Sequence, residues 1–354
     1  MRVVIDAMGA ERGVSVVIQG TMEALRENSQ IEPIMVGNEN EIRKRIKELS
    51  LKEDPFRIVH ASQTVEMEEL PLTVLKKGKT SIGVALDLVK EGEAEALVST
   101  GNTGAVMAAS LFKLGRLKGI KRPCLAVVLP TSTGERVILM DVGANVDCKP
   151  YHLFQFALMG SIYAYKIFRK REPRIGLLNI GTENNKGNAL TLQTFRLLED
   201  SSLNFIGNIE GRDITRGKAE VIVCDGFVGN VLLKFAEGFA ETTLNTVDRE
   251  INKRLPLIGR LLLKSSLKKI KKSLDYAEYG GVPLLGVKGV CVVAHGASSD
   301  KAIKNAILNS IEYAQMKINE EIEKVISRVE GGGIEKGKDS GGRVLYSRKD
   351  SYKC

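Results

Sequence analysis

The sequence predicts an α/β protein, a three-layer αβα sandwich around a mixed, mostly parallel sheet. Three observations predict it. Short runs rich in Val, Ile and Leu alternate with longer stretches of helical period. These runs are apolar along their whole length, as strands covered on both faces must be. Two of them, in LAVVLPTSTGERVILMD, are joined by a short turn carrying Gly134, which reads as a hairpin and so as an antiparallel interruption.

In chain order the predicted strands are RVVID near Arg2, EPIMVG near Glu32, FRIVHA near Phe56, EALVST near Glu95, LAVVLP near Leu125, RVILMD near Arg136, RIGLLNI near Arg174, NFIGNI near Asn204, EVIVCD near Glu220 and GVCVVAH near Gly289. Helical period fills most gaps, for example Tyr151 to Lys170 and Gly226 to Lys253. The expected organisation is one domain over residues 1–330. A basic amphipathic segment at about 251–275 protrudes from it, and 331–354 is a glycine-rich, basic, disordered tail.

Composition excludes several classes. With 354 residues, 43% hydrophobic and 27% charged, the chain has the balance of a soluble globular protein. No apolar run reaches the ~18 residues that span a bilayer, and MRVVIDAMG has no signal-peptide pattern. Five scattered cysteines with no CxxC pair read as reduced thiols in a cytoplasmic protein. The net charge of +9 is local: eight basic residues and no acid lie between Ile251 and Leu274, and the tail adds six basic to three acidic. The rest of the chain is slightly acidic, so no nucleic-acid partner is expected.

Polar knots collect just after the strands, where ligands bind in open α/β sheets. They are VSTGNTG, MDVGANVDCKP, LLNIGTENNKGN, VCDGFVGN and VVAHGASSD. Glycines let backbone N–H groups approach a ligand, helix N-termini carry partial positive charge, and Ser and Thr add donors, a combination suited to phosphate. Capping and turn formation explain any single knot equally well. There is no GxxxxGK[ST], and DAMGAERG stands where a GxGxxG would follow the first strand. No His/Cys cluster has zinc spacing, so neither metal nor cofactor is expected. Of the three histidines, His295 at a strand end is the site candidate; His60 and His152 read as structural.

Together, IDAMGAE, STGNTGAVMAA, GRLKGIKRP, LPT, MDVGANVDCKP, LLNIGTENNKGN, NFIGNIEGRD, CDGFVGN, YGGVPLLGVKG and AHGASSDKAIKNAI resemble the PlsX-type phosphate acyltransferases of bacterial phospholipid synthesis, over nearly the whole chain to about Asn309. The family usually reads DAMGGD where Ala10 and Glu11 stand here. The resemblance implies a fold related to isopropylmalate dehydrogenases and phosphotransacetylases. It implies reversible acyl transfer from acyl-[acyl carrier protein] to inorganic phosphate, feeding a membrane glycerol-3-phosphate acyltransferase. It also implies a homodimer and a cytoplasmic, reversibly membrane-associated location.

That chemistry needs no Ser or Cys nucleophile, because phosphate is itself anionic; it needs donors for the tetrahedral oxyanion and a cation for phosphate. The family's active-site lysine and asparagine map onto Lys186 in ENNKGN and Asn230 in CDGFVGN. Ser99, Gly101, Asn102, Thr103 and Gly104 are assigned to phosphate or substrate contact, with His295 and Ser298 completing the anion pocket. Asn145 and Asp225, like Asp141, are strand-end polar groups for which capping and direct contact stay open. A coenzyme A-dependent phosphotransacylase, a dehydrogenase of the related fold and a non-catalytic membrane protein are the rivals.

In the basic stretch, Leu263, Leu267, Ile270 and Leu274 fall on one helical face, Leu255, Leu257, Ile258, Leu261 and Leu262 precede it, and cations including Lys268 and Lys271 lie largely off the stripe. This suits an anionic membrane surface. An acidic carrier protein fits the same cations, and a core-packed helix with a solvated lysine face is the bland alternative.

Overall fold

The computed structural model describes residues 1–51, 56–254 and 280–331. The membrane-binding residues expected between Leu255 and Lys271, and the tail beyond 331, lie outside them. The chain forms two compact units, each discontinuous in sequence. Unit 1 takes residues 1–113, 228–283 and 291–312; unit 2 takes 114–227, 284–290 and the chain from 313 onward.

In unit 1, β1 (Arg2–Asp6) is flanked by parallel β2 (Glu32–Gly37) and β4 (Ala96–Ser99), and β3 (Arg57–His60) runs parallel beyond β2. The order is β3-β2-β1-β4-β11, with β11 at Val290–Val293. Val3, Val4, Leu97 and Val98 are buried, which is why these strands carry no polar face. The helices are α1 (Val14–Glu27), α2 (Glu39–Glu48), the short α3 (Thr73–Lys76), α4 (Ser81–Lys90), α5 (Thr103–Lys113), most of α8 (Gly226–Arg254) and α9 (Asp300–Gln315). Asn38 caps α2 by accepting from the amides of Asn40 and Glu41, and Thr80 caps α4 at Gly83.

Unit 2 is mixed. β5 (Cys124–Pro130) and β6 (Arg136–Met140) form the expected antiparallel hairpin, with Gly134 at φ 81° in the turn. The parallel order β6-β9-β7-β8 follows, through β9 (Val221–Val223), β7 (Ile175–Leu178) and β8 (Phe205–Ile209). The helices are α6 (Pro150–Phe168), α7 (Ala189–Glu199) and α10 (Ile318–Gly331). Pro150 begins α6, and His152 Nδ1 accepts from Lys149 N there, a structural role at the helix start. In the core, the Tyr163 and Tyr313 hydroxyls bond at 2.7 Å.

All ten predicted strands form. An eleventh, β10 (Val282–Leu285), was not anticipated. Pro283 inside it removes a ladder donor, and Gly280, Gly281 and Gly286 flank it, so sequence reads this segment as a turn. Val282 and Pro283 pair with β11, and Leu284 and Leu285 with β5.

Glu220, almost fully buried beside β9, accepts from Arg174 Nη2 at 2.7 Å, Arg174 N at 2.6 Å and Lys170 Nζ at 2.8 Å. Burial alone would raise its pKa; the bonds from Arg174 and Lys170 outweigh it and hold the carboxyl at about 2, against an ordinary 4.5. A depressed carboxylate stabilises the fold above its unfolded pKa, and that contribution disappears as pH falls from 4.5 to about 2. Glu220→Gln should therefore lower the melting temperature at neutral pH and flatten its acid limb over that window. An unchanged acid limb would show that Glu220 carries none of it.

Candidate active site

In unit 1 the candidate residues gather in the loops that follow β1, β4 and β11. β4 ends in Ser99, and its main-chain oxygen accepts from Ala294 N, next to His295, at 2.8 Å. Ser99 Oγ donates to Asp6 Oδ2 at 2.7 Å and accepts from Gly101 N at 3.1 Å. Asn102 is spent on framework: its Nδ2 donates to the carbonyls of Glu66, Met67 and Glu69, and its Oδ1 accepts from Ala105 N at the start of α5. With the Gly101 amide spent on Ser99, what this knot offers a ligand is the backbone N–H groups of Thr103 and Gly104 at the start of α5. Gly104 is needed for space, since a Cβ there would sit 2.6 Å from Pro71. His295 Nδ1 accepts from Ala297 N. The hydroxyls of Ser298 and Thr100 are buried and have no hydrogen-bond partner among the described residues. Thr100 was missed from sequence, where nothing separates it from its neighbours. Asn230 is the fifth residue of α8 and exposed. It stands one turn past the capping position, so its amide has no capping task.

In unit 2, Asp141 organises the loop after β6. Its Oδ1 accepts from Leu125 N and Ala144 N, both at 3.0 Å, and its Oδ2 from Asn145 N at 2.7 Å and Asn145 Nδ2 at 2.8 Å. Burial raises its pKa, and these four donors counter that in part. Asn145 also donates to Pro123 O and receives Gly226 N on its carbonyl. A Cβ at Gly226 would meet Asn145 and Asp141 within 3 Å, so glycine is required next to Asp225 for α8 to start here. Asn145 is thus committed to framework.

Lys186 belongs to the loop after β7, shaped by two glycines. Gly187 has φ +108°, and a Cβ there would lie 2.1 Å from Thr191 Oγ1 and 2.6 Å from Asn179 Oδ1. A Cβ at Gly181 would lie 2.8 Å from Glu183 Oε2 and 3.2 Å from Lys186 Cγ. Asn179 Nδ2 donates to Lys186 O at 3.0 Å, and Lys186 N donates to Glu183 O. The side chain is exposed, and its ammonium has no carboxylate partner among the described residues. The loop after β7 thus presents one exposed cation on a backbone tied by Asn179 and Glu183.

Among the described residues no thiol competes as a nucleophile. Burial pushes Cys124 and Cys224 well above the ordinary value, Cys291 up to about 11 and Cys148 up to about 12. Cys124, Cys224 and Cys291 are buried and fill the core; Cys148 is only partly buried.

Donor-rich loops after the strands of a mixed α/β sheet, with a lysine unpaired and no thiol activated among the described residues, suit one class: a protein that handles an anion. Solved structures share the fold. They include a EutD phosphotransacetylase from Staphylococcus aureus, at TM-score 0.56 and 17% identity over 89% of this chain and 94% of that one. A branched-chain phosphotransacylase from Enterococcus faecalis aligns at 0.54 and 17%, over 88% and 99%. The family described as "Fatty acid synthesis protein" matches residues 1–321. A phosphate acyltransferase of Desulfitobacterium hafniense is 50% identical over 93% of this chain and 98% of its own length. One of Dictyoglomus turgidum is 46% identical over 94% and 100%. The chain belongs to this family, the PlsX-type phosphate acyltransferases, and is an acyltransferase.

Proposed function

We propose that the protein makes acyl phosphate from acyl-[acyl carrier protein] and inorganic phosphate, reversibly and without a covalent enzyme intermediate, for phospholipid synthesis. A phosphate oxygen attacks the thioester carbon, the C–S bond breaks, and the carrier thiol takes up the proton. Lys186 holds phosphate or the developing oxyanion, and Asn230 donates to the carbonyl oxygen. The amides and hydroxyls of the STGN and HGASS loops hold phosphate. The observation that carries this reading is the exposed Lys186 ammonium, without a carboxylate partner among the described residues, on a loop whose backbone is tied by Asn179 and Glu183. The protonated thiols support direct attack.

The test is to mix the purified protein with palmitoyl carrier protein and phosphate, trap acyl phosphate with hydroxylamine, and repeat with palmitoyl-coenzyme A. Hydroxamate from the carrier-protein donor is expected. Product from coenzyme A alone would move the assignment to a coenzyme A-dependent phosphotransacylase.

Two partners belong to the same reading. On α8, Val231, Phe235 and Phe239 are exposed four residues apart, and the last two rings stack with centroids 5.8 Å apart. This stripe supports a homodimer, which sedimentation equilibrium should read as twice the chain mass; a particle of single-chain mass would exclude it. Among the described residues no helix is long and apolar enough to cross a membrane. The eight cations and leucine stripe between Ile251 and Leu274 support peripheral docking on anionic lipid. Co-sedimentation with anionic vesicles should drop sharply for Leu263→Glu with Leu267→Glu, and unchanged binding in that variant would refute it.

A further inference from the structure

The first loop, from Asp6 to Gly13, has no role in the reading above. Yet among the described residues of unit 1, Asp6 is the one carboxylate with less than a tenth of its surface exposed. Its Oδ1 accepts from Met8 N at 3.1 Å and its Oδ2 from the Ser99 hydroxyl at 2.7 Å. Ser99 Oγ in turn accepts from Gly101 N at 3.1 Å. Donation runs one way, from Gly101 through Ser99 to Asp6, and so requires an acceptor at its end. The chain ties the DAMG turn to the STGN turn, which approach so closely that a Cβ at Gly9 would lie 2.7 Å from Gly101 Cα. The DAMG turn is also tied to the HGASS loop, through Glu11 N to Gly296 O at 2.9 Å.

This carboxylate costs the fold something. Among the described residues no cation pairs with it. Burial raises its pKa from 3.8 to about 6, and the Ser99 and Ser81 hydroxyls and the Met8 amide pull it down only in part. A carboxyl whose folded pKa lies above its unfolded value loses stability as pH rises from 3.8 to about 6, so at neutral pH the ionised group opposes folding. A neutral side chain would serve the packing better. Meanwhile Thr100 Oγ1 and Ser298 Oγ, each on a residue 1% exposed, have no partner among the described residues. Buried donors of this kind call for an acceptor. They sit in the two loops that the DAMG turn joins, and an oxyanion admitted between those loops would supply what they lack.

We infer that Asp6 is a positioning residue for phosphate: by taking one donor from the DAMG turn and one from the STGN turn, it aims the donors of the STGN and HGASS loops at a single bound phosphate. The inference rests on the phosphate-transfer reading. With the carboxylate in place, Ser99 must point its proton inward and keep its lone pair on the Gly101 amide, so the Thr100–Gly101 backbone has one conformation. Without it, the Ser99 hydroxyl turns and that backbone is released.

Asp6→Asn keeps the size and removes the charge. Its melting temperature at neutral pH should match or exceed wild type. Its KM for phosphate should rise at least about tenfold, while the KM for palmitoyl carrier protein stays within about twofold. Inorganic phosphate titrated alone, followed by calorimetry, should bind about tenfold more weakly. Ser99→Ala, which cuts the same chain one bond later, should reproduce the phosphate shift. Wild-type phosphate affinity and KM in Asp6→Asn would overturn the inference. So would a melting temperature that falls together with every kinetic constant, because that is a structural role. If wild type forms no acyl phosphate but binds inorganic phosphate, and Asp6→Asn loses that binding, the reaction reading fails and the Asp6 assignment stands. A wild type that binds no phosphate sinks both.

Discussion

Lys186→Ala is expected to cut acyl phosphate formation by about 10²–10³-fold, the scale of losing one preorganised donor to a developing oxyanion. The reason is local. The Asn179 amide holds the Lys186 carbonyl and Lys186 N bonds Glu183 O, so the backbone from which the side chain projects is fixed. No acid neutralises the ammonium among the described residues. The side chain is exposed, so its removal should leave the melting temperature unchanged and separate catalysis from stability. Lys186→Arg should recover only part of the rate, because a planar fork replaces a point charge. Asn230→Ala should fall comparably, since its amide has no capping task to lose. A Lys186→Ala enzyme with near-normal turnover would remove this lysine from the site.

Asp141→Ala should be strongly destabilising, by about 3–9 kcal/mol. Three main-chain N–H groups, of Leu125, Ala144 and Asn145, would be left buried without an acceptor, at about 1–3 kcal/mol each. The damage extends to α8, because Asn145 O receives the Gly226 amide where that helix begins. Urea denaturation of the whole chain reads the loss as a lower midpoint. Asp141→Asn should cost less, since it retains one acceptor and the volume. A loss below about 1 kcal/mol for Asp141→Ala would mean that other groups take over these donors.

Asp141 and Asp6 also show where reading by residue type falls short. Each ends an apolar strand before a turn of small residues, in ILMDVGA and VVIDAMG. That pattern was visible, but whether such an acid faces a ligand, a cap or its own loop depends on which amides the chain returns to it. For Asp141 these include Leu125, at the start of a different strand; for Asp6 the bond comes from Ser99, ninety-three residues away. Asn102 and Asn145 stand in loops whose composition suits an anion, and only the structure shows both amides occupied by framework carbonyls.

Local pattern therefore determined the element inventory. Continuous apolar runs, helical period and one glycine turn are properties of neighbouring residues, and the ten strands and the hairpin follow from them. The order of motifs likewise carried the family. Tertiary structure alone decided β10, whose Pro283 is tolerated because its partner strands supply the pairing. It alone decided how residues 114–227, 284–290 and 313–331 come together in one unit. It also decided which polar side chains are already satisfied and which, like Lys186, have no ion-pair partner among the described residues. Hydrogen-bond satisfaction depends on contacts distant in sequence, and no single stretch of chain encodes it.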